Sequence, residues 1–496
     1  MNLTSWVPMR WPCGPLAVER LRRREAFTPE EMEALRAWAD PRTLECLSGS
    51  PVNALVVPWA EGSAGDEGHQ QTLAPLIGAA RGRGLSVVGW LGETADVRKA
   101  AGAARAAGLA ALATSSLEPV EGMDVLRFRK RGFEDRTRAD FVGDLDAVWP
   151  GMRPLKLEPS VDAVSGATAR PWIDSNAWYV RLARTLLEPQ CVWLAFDPPE
   201  TGWPATADGY LQAIADTEVC GARWMVSLDA KLRLGLAEGR KDTHETWASI
   251  TRSLSFFRKH ASWAGLRPVG QIGVVSDYAG AHEFLSFEVL NLLGRRSGLY
   301  RVLDKGRVDA AALQGLDAVL YADEAPAEAD LARRLYAFAE QGGTLVTPQG
   351  WKALGEPVEG APTPRFRVFR LGQGRLAVAR EAFDDPDLLA EDLQLLAGHR
   401  NDRVRVFNLG VGHVHYATSG DGRSGVLHSF AFPTPYRRQE VTLWFRSPWA
   451  EARLFQVAEG SVAEGSGAAV PRAVADGGVE FHLPPVPPYC AVEVSA

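Results

Sequence analysis

The chain has 496 residues, 46% of them hydrophobic and 23% charged, with a formal net charge of −7. This length exceeds what one hydrophobic core serves and predicts about two to four domains. The acidic balance leaves no basic footprint for nucleic acid or anionic lipid, and no run of about eighteen apolar residues offers a membrane span.

Residues 1–15 lack the apolar stretch of a signal peptide, so a cytoplasmic protein is the expectation. The five cysteines (Cys13, Cys46, Cys191, Cys220, Cys490) are scattered, with no CxxC and no neighbouring histidine pair. That pattern points to reduced thiols and away from a disulfide framework or a zinc site. Neither a metal nor a cofactor is predicted. Sixteen tryptophans are the one excess; they either fill cores or offer platforms for stacking sugar rings.

In chain order, Leu16 to Leu21 reads as a first strand. Thr28-Pro-Glu-Glu31 reads as a helix start, with Thr28 as N-cap and Glu31 completing a capping box. Asn53 to Trp59 is a second strand ending beside Glu61, and His69 to Arg83 a helix. Leu85 to Leu91 is a third strand, containing Trp90 and followed by Glu93. A helix over Ala95 to Ala107, strands over Leu109 to Thr114 and Val125 to Arg129, and a helical segment over Arg138 to Trp149 come next. Pro154 to Glu158 is expected as the sixth strand. The loop from Pro159 to Asn176 carries Arg170, Trp172, Asp174 and Asn176 in a tight group, and long loops in compact domains are often functional.

After a helix from Trp178, the pattern becomes clearest. Cys191-Val-Trp-Leu-Ala-Phe-Asp197 is an apolar run closed by a carboxylate, with Trp203 just beyond. A helix over Ala207 to Val219 leads to Arg223-Trp-Met-Val-Ser-Leu-Asp229, a second run ending in aspartate. Apolar strand, terminal acid, helix, strand is the grammar of a parallel sheet buried on both faces. Counted through the helix Thr243 to His260, residues 1–265 predict a (β/α)8 TIM barrel with its acids on the carboxyl-end rim.

Beyond Gly265, four strands (Ile272 to Tyr278, Tyr300 to Leu303, Leu316 to Tyr321, Thr344 to Thr347) alternate with helices (Glu283 to Arg296, Glu328 to Gln341). This predicts a doubly wound, flavodoxin-like α/β domain over 268–400. After about Arg400 only short alternating runs remain, between Gly and Pro, which predicts a small β-sandwich over 401–496.

Gln271-Ile-Gly-Val-Val-Ser-Asp277, Leu316-Asp-Ala-Val-Leu-Tyr321 and Phe338-Ala-Glu-Gln-Gly-Gly-Thr-Leu-Val346 carry a family resemblance. With a barrel before them and a β-sandwich after, the chain resembles the three-domain β-galactosidases and related hypothetical glycosyl hydrolases. In that family the middle domain looks like a class-I glutamine amidotransferase and serves in trimerisation, which implies a homo-oligomer here. An active amidotransferase needs a cysteine nucleophile, and residues 268–400 contain no cysteine. The barrel departs from the family too. Where the β-galactosidases carry glutamates at the ends of strands four and seven, this chain has Thr114-Ser115-Ser116 and Asp197.

Glycoside hydrolysis needs two carboxyl groups about 5–5.5 Å apart for retention or about 6.5–9.5 Å apart for inversion. Asp197 is therefore expected as nucleophile or base, with Glu158 or Asp229 as the acid and Asp174 as the outside choice. Arg170, Trp172, Asp174, Asn176, Trp59, Glu61, Trp90, Glu93 and Trp203 are expected to bind substrate. Against this stands the ordinary use of an aspartate after a strand, which is to cap the next helix. Two functions are thus in play: a glycoside hydrolase-like enzyme acting on a carbohydrate, and a non-catalytic carbohydrate-binding or assembly protein that keeps the architecture. No Ser-His-Asp order, GxxxxGK loop or HExxH supports another hydrolase.

Overall fold

The computed structural model describes residues 3–24, 27–116, 120–128, 133, 136, 141–144, 147–153, 172–198, 205–432, 440–457, 467–475 and 477–496. The chain forms two compact units. The first comprises Met1–Gly132, Thr137–Pro150 and Leu187–Ala261; the second comprises Phe133–Arg136, Gly151–Leu186 and Ser262–Ala496.

The first unit opens with β1 (Pro8–Arg10), α1 (Gly14–Arg22), α2 (Pro29–Ala37) and β2 (Ala54–Ala60). It continues through α3 (Asp66–Gly82), β3 (Ser86–Leu91), α4 (Val97–Ala107), β4 (Ala111–Thr114), β5 (Asp124–Arg127) and β6 (Phe141–Asp144). Then come β7 (Gly151–Arg153), β8 (Trp172–Asp174) and α5 (Ala177–Leu187), whose residues up to Leu186 belong to the second unit. The first unit resumes with β9 (Cys191–Leu194), α6 (Ala207–Glu218), β10 (Arg223–Trp224), α7 (Ala230–Glu238) and α8 (Lys241–Lys259).

Among the described residues, all strand pairings in this unit are parallel. One sheet runs β1-β2-β3-β4-β5 and another β10-β9-β6. Two isolated parallel bridges, Phe128↔Gly143 and Met9↔Val226, link the outer strands of one sheet to those of the other. At the second link Arg10 N donates to Val226 O at 2.8 Å, and Val226 N to Pro8 O at 3.0 Å. Each of the eight parallel strands therefore has a partner on both sides.

Alternate residues of these strands meet in one cluster that includes Val56, Val88, Ala111, Leu126, Phe141, Trp193 and Met225. A period of two places every second side chain on the same face, which is how so many strands share one core.

Two expected elements lie elsewhere. Leu16 to Leu21 is not a strand but part of α1, preceded by the three-residue strand β1. Pro15 sits in the first helical turn, and Leu16, Ala17 and Leu21 bury one face of the helix. The apolar residues of that stretch were thus a helix stripe, not an alternating strand. The segment Arg138 to Trp149, expected to be helical, holds the buried strand β6. Residues 154–158, expected as the sixth strand, lie outside the described residues.

In the second unit, β12 (Ile272–Ser276), β13 (Tyr300–Asp304), β14 (Ala318–Tyr321), β15 (Thr344–Thr347) and β18 (Gly374–Ala379) form a parallel set. The antiparallel β16 (Glu356–Pro357) and β17 (Phe366–Leu371) extend it, in the order β13-β12-β14-β15-β18-β17-β16. Two antiparallel sheets make up the rest. β11 (Arg267–Pro268), β20 (Gly412–Thr418), β21 (Ser424–Ala431), β27 (Tyr489–Ser495), β23 (Glu451–Gln456) and β24 (Ala468–Ala469) form one sheet. β19 (Val404–Phe407), β22 (Val441–Phe445), β26 (Gly478–Leu483) and β25 (Arg472–Ala475) form the other. Val414, Leu427 and Val492 from the former pack with Leu443, Phe445 and Phe481 from the latter in a single core. Among the described residues no helix is long and apolar enough to cross a membrane.

Candidate active site

Parallel strands have their carboxyl ends on the same side, so groups just beyond their C-terminal residues gather there. In the first unit those ends frame a cavity of about 300 Å³. Its lining takes Arg10 from β1, Val56 and Pro58 from β2, Trp90 from β3, Asp197 from beyond β9, and Ser227 from beyond β10. Helices α1, α2 and α7 supply Arg20, Glu31 and Arg233, and Arg24 follows α1.

Asp197 stands in the cavity wall with 56% of its side chain open to solvent. Arg10 NH1 donates to its Oδ1 at 2.8 Å, and Ser227 Oγ donates to the same oxygen at 2.6 Å. Surrounding protein atoms push this carboxyl up, but Arg10, Ser227, Arg233 and Arg24 together outweigh that and hold it below the usual carboxylate range. At neutral pH it is a charged acceptor, the state that a nucleophile or general base requires.

Two of the other guanidiniums are paired with acids. Arg20 bonds Glu61, and Arg24 NH1 donates to Glu31 Oε1 at 2.8 Å. Glu31 also takes part in the predicted capping box: its Oε2 accepts from Thr28 N at 2.7 Å, while Thr28 Oγ1 accepts from Glu31 N at 3.1 Å. Arg233 is buried on α7, where its carbonyl accepts from Trp38 Nε1 at 2.8 Å. Below the cavity His69 is fully buried. Its Nε2 faces Pro58 O at 2.9 Å and its Nδ1 accepts from Leu16 N at 3.3 Å, pinning α1 to β2. Both contacts are met by a neutral ring, and burial holds the pKa down accordingly.

The expected site residues divide. Asp197 and Trp90 line the cavity, with Trp90 in edge contact with Phe128 at 5.0 Å. Glu61 stands behind Arg20, and Glu93 is exposed in the turn before α4. Trp59, expected as a stacking platform, is 1% exposed and donates its indole N–H to Ala100 O at 3.1 Å. It fills the core, because its position on β2 faces α4. Asp229 is the N-cap of α7: Oδ1 accepts from Leu232 N at 2.8 Å, and Oδ2 from Tyr210 Oη at 3.2 Å.

Trp172, Asp174 and Asn176 belong to the second unit. Trp172 Nε1 donates to Asp174 Oδ1 at 2.9 Å, and the Arg295 guanidinium lies 3.3 Å from the Trp172 ring centre. Asn176 is fully buried. Glu158, Arg170 and Trp203 lie outside the described residues.

Several cavity residues carried too little local signal to be singled out. Arg10 ends a three-residue strand, and Ser227 looks like any strand residue. Asp144, which closes β6 fully buried and does not line the cavity, sits in the stretch expected to be helical.

The arrangement is a mixed α/β multidomain architecture with several sheets, some of them parallel, consistent with the fold of glycoside hydrolases of known structure. The chain is similar to α-L-fucosidase isoenzyme 2 from Paenibacillus thiaminolyticus over 92% of its own length and 96% of that chain, with TM-score 0.57 and 11% identity. It is also similar to an exo-β-1,4-mannosidase from Opitutaceae bacterium strain TAV5, covering 78% and 93% of the two chains at 13% identity and TM-score 0.45. A β-galactosidase from Rahnella sp. R3 covers 86% and 66% of the two chains at 13% identity, with TM-score 0.40. At these identities the likeness is one of fold. No protein-family model matches the chain, and no curated protein is similar to it in sequence.

Proposed function

We propose that the protein is a glycoside hydrolase-like enzyme whose reaction takes place in the cavity beside Asp197. In this reading the eight parallel strands form a (β/α)8 barrel, and the cavity is its carboxyl-end mouth. The observation that carries the reading is an ionised carboxylate, held by Arg10 and Ser227, in the wall of a solvent-reachable hollow at the strand ends. Asp197 acts as nucleophile or base, and Trp90 offers an aromatic edge to a sugar ring. The proton donor is drawn from Glu158 and Asp229. Asp229 already uses both oxygens to hold α7 and Tyr210, which counts against it.

The test is a screen of aryl glycosides against wild type and Asp197→Asn. Turnover abolished in the variant, with folding intact, supports the reading; equal turnover removes Asp197 from the reaction. The cap made by Asp229 favours one second reading, a carbohydrate-binding protein without turnover. Saturable binding of a sugar at this cavity with no hydrolysis would select it.

A further inference from the structure

Polar and apolar groups occupy different sides of the cavity. Arg10, Asp197 and Ser227 stand at the strand ends, where both donors meet one carboxylate oxygen. The helical side is aliphatic: Ala17 and Leu21 on α1 and Leu35 on α2 line it, and with Met32 they form a hydrophobic cluster of their own. Residues four apart share a helix face, so Ala17 and Leu21 make one stripe along α1. The arginines on this side are engaged with acids, Arg20 with Glu61 and Arg24 with Glu31. Ten of the seventeen residues lining the cavity are apolar.

A sugar ring carries hydroxyls on most of its carbons. Each one moved from water onto aliphatic surface without a new partner costs free energy. One ring, set at the strand ends, lies among polar groups. A second ring laid against Ala17, Leu21 and Leu35 meets hydrocarbon instead. An alkyl chain or an aromatic ring in that place gives up no hydrogen bonds and gains by leaving water.

We propose that the substrate of this cavity is a single sugar on an apolar aglycone, an alkyl or aryl alcohol, with the aglycone against Ala17, Leu21 and Leu35. Hydrolysis breaks the bond between the anomeric carbon and the aglycone oxygen. Water supplies a hydroxyl to the sugar and a proton to that oxygen, and the alcohol leaves. This rests on the reading of the cavity as a glycoside-cleaving site and adds the class of leaving group it takes.

The experiment measures binding to the intact chain by calorimetry. The probes are methyl, hexyl and phenyl glycosides of galactose, mannose and glucose, and each of these sugars linked to a second glucose. Hexyl or phenyl glycosides are expected to bind at least about tenfold tighter than the methyl glycoside and the disaccharide, since a fully buried methylene contributes about fourfold. The hexyl and phenyl arms identify which apolar group fits. Leu21→Ala and the milder Ala17→Ser are read as the ratio of hexyl to methyl affinity within each variant, which a partly unfolded sample leaves unmoved. That ratio is expected to fall at least threefold in Leu21→Ala and by less in Ala17→Ser; a ratio unchanged in both would overturn the inference. Methyl glycosides or disaccharides binding as tightly as the apolar ones would also overturn it and leave the carbohydrate reading standing. No binding of any probe would overturn both.

Discussion

Arg10 and Asp197, 187 positions apart in the chain, are joined by a hydrogen bond of 2.8 Å at the ends of β1 and β9. The pair exists because Met9 and Val226 bridge β1 to β10, the strand that pairs with β9, bringing the first strand of this unit beside its last. Arg10→Met removes the charge that does most to keep Asp197 ionised. The acid limb of the pH–activity profile, or of ligand binding, is expected to move to higher pH in this variant. A limb unmoved by the substitution would show that Asp197 does not set it.

Asp229 separates capping from acid catalysis. Asparagine caps helices about as well as aspartate, whereas alanine costs about 1 kcal/mol. Asp229→Asn is therefore expected to keep both stability and activity, and Asp229→Ala to lower the urea midpoint by an amount equivalent to about 1 kcal/mol. Loss of activity in a stably folded Asp229→Asn would instead make this residue the proton donor.

Gly14 opens α1 at φ +77°, and a Cβ there would come within 2.9 Å of the His69 ring. Both the left-handed backbone and the contact oppose any side chain. Gly14→Ala should cost about 1–3 kcal/mol, read as a lower thermal midpoint, and should loosen the His69 contacts beneath the cavity. A midpoint within error of wild type would mean α1 shifts without penalty.

His413 and His415 lie buried on β20. Arg181 donates to His415 Nδ1 at 2.9 Å, and His413 stacks on Phe430 with ring centres 4.6 Å apart. Burial, reinforced by Arg181 and Arg295, lowers the His413 pKa to about 3. In the unfolded chain it returns to about 6.5. Between those values the unfolded state binds a proton that the folded state refuses, so stability falls as pH falls from about 6.5 toward about 3. The slope reaches about 1.4 kcal/mol per pH unit for one such histidine. Urea unfolding at several pH values should show that slope in wild type and a shallower one in His413→Phe; identical slopes would contradict the assignment.

Much of the architecture was legible in local pattern. Apolar runs such as Ala54–Ala60, Ser86–Leu91 and Cys191–Leu194, buried on both faces, announced parallel strands by composition alone. Thr28, Pro29 and Glu31 announced α2 because capping is settled within four residues. Likewise, Asp197 was marked by its place at the end of such a run.

What sequence pattern could not settle was which of the strand-end groups meet. A three-residue strand like Pro8–Arg10 carries too little periodicity to be seen, and the apolar stripe of Gly14–Arg22 reads as strand or helix until its partners are known. Likewise, an aspartate after a strand looks the same whether it faces a cavity, as Asp197 does, or turns back to cap a helix, as Asp229 does. That choice depends on neighbours contributed from distant parts of the chain, and only the assembled strands brought Arg10, Ser227 and Arg233 around one carboxylate and left the others to structural work.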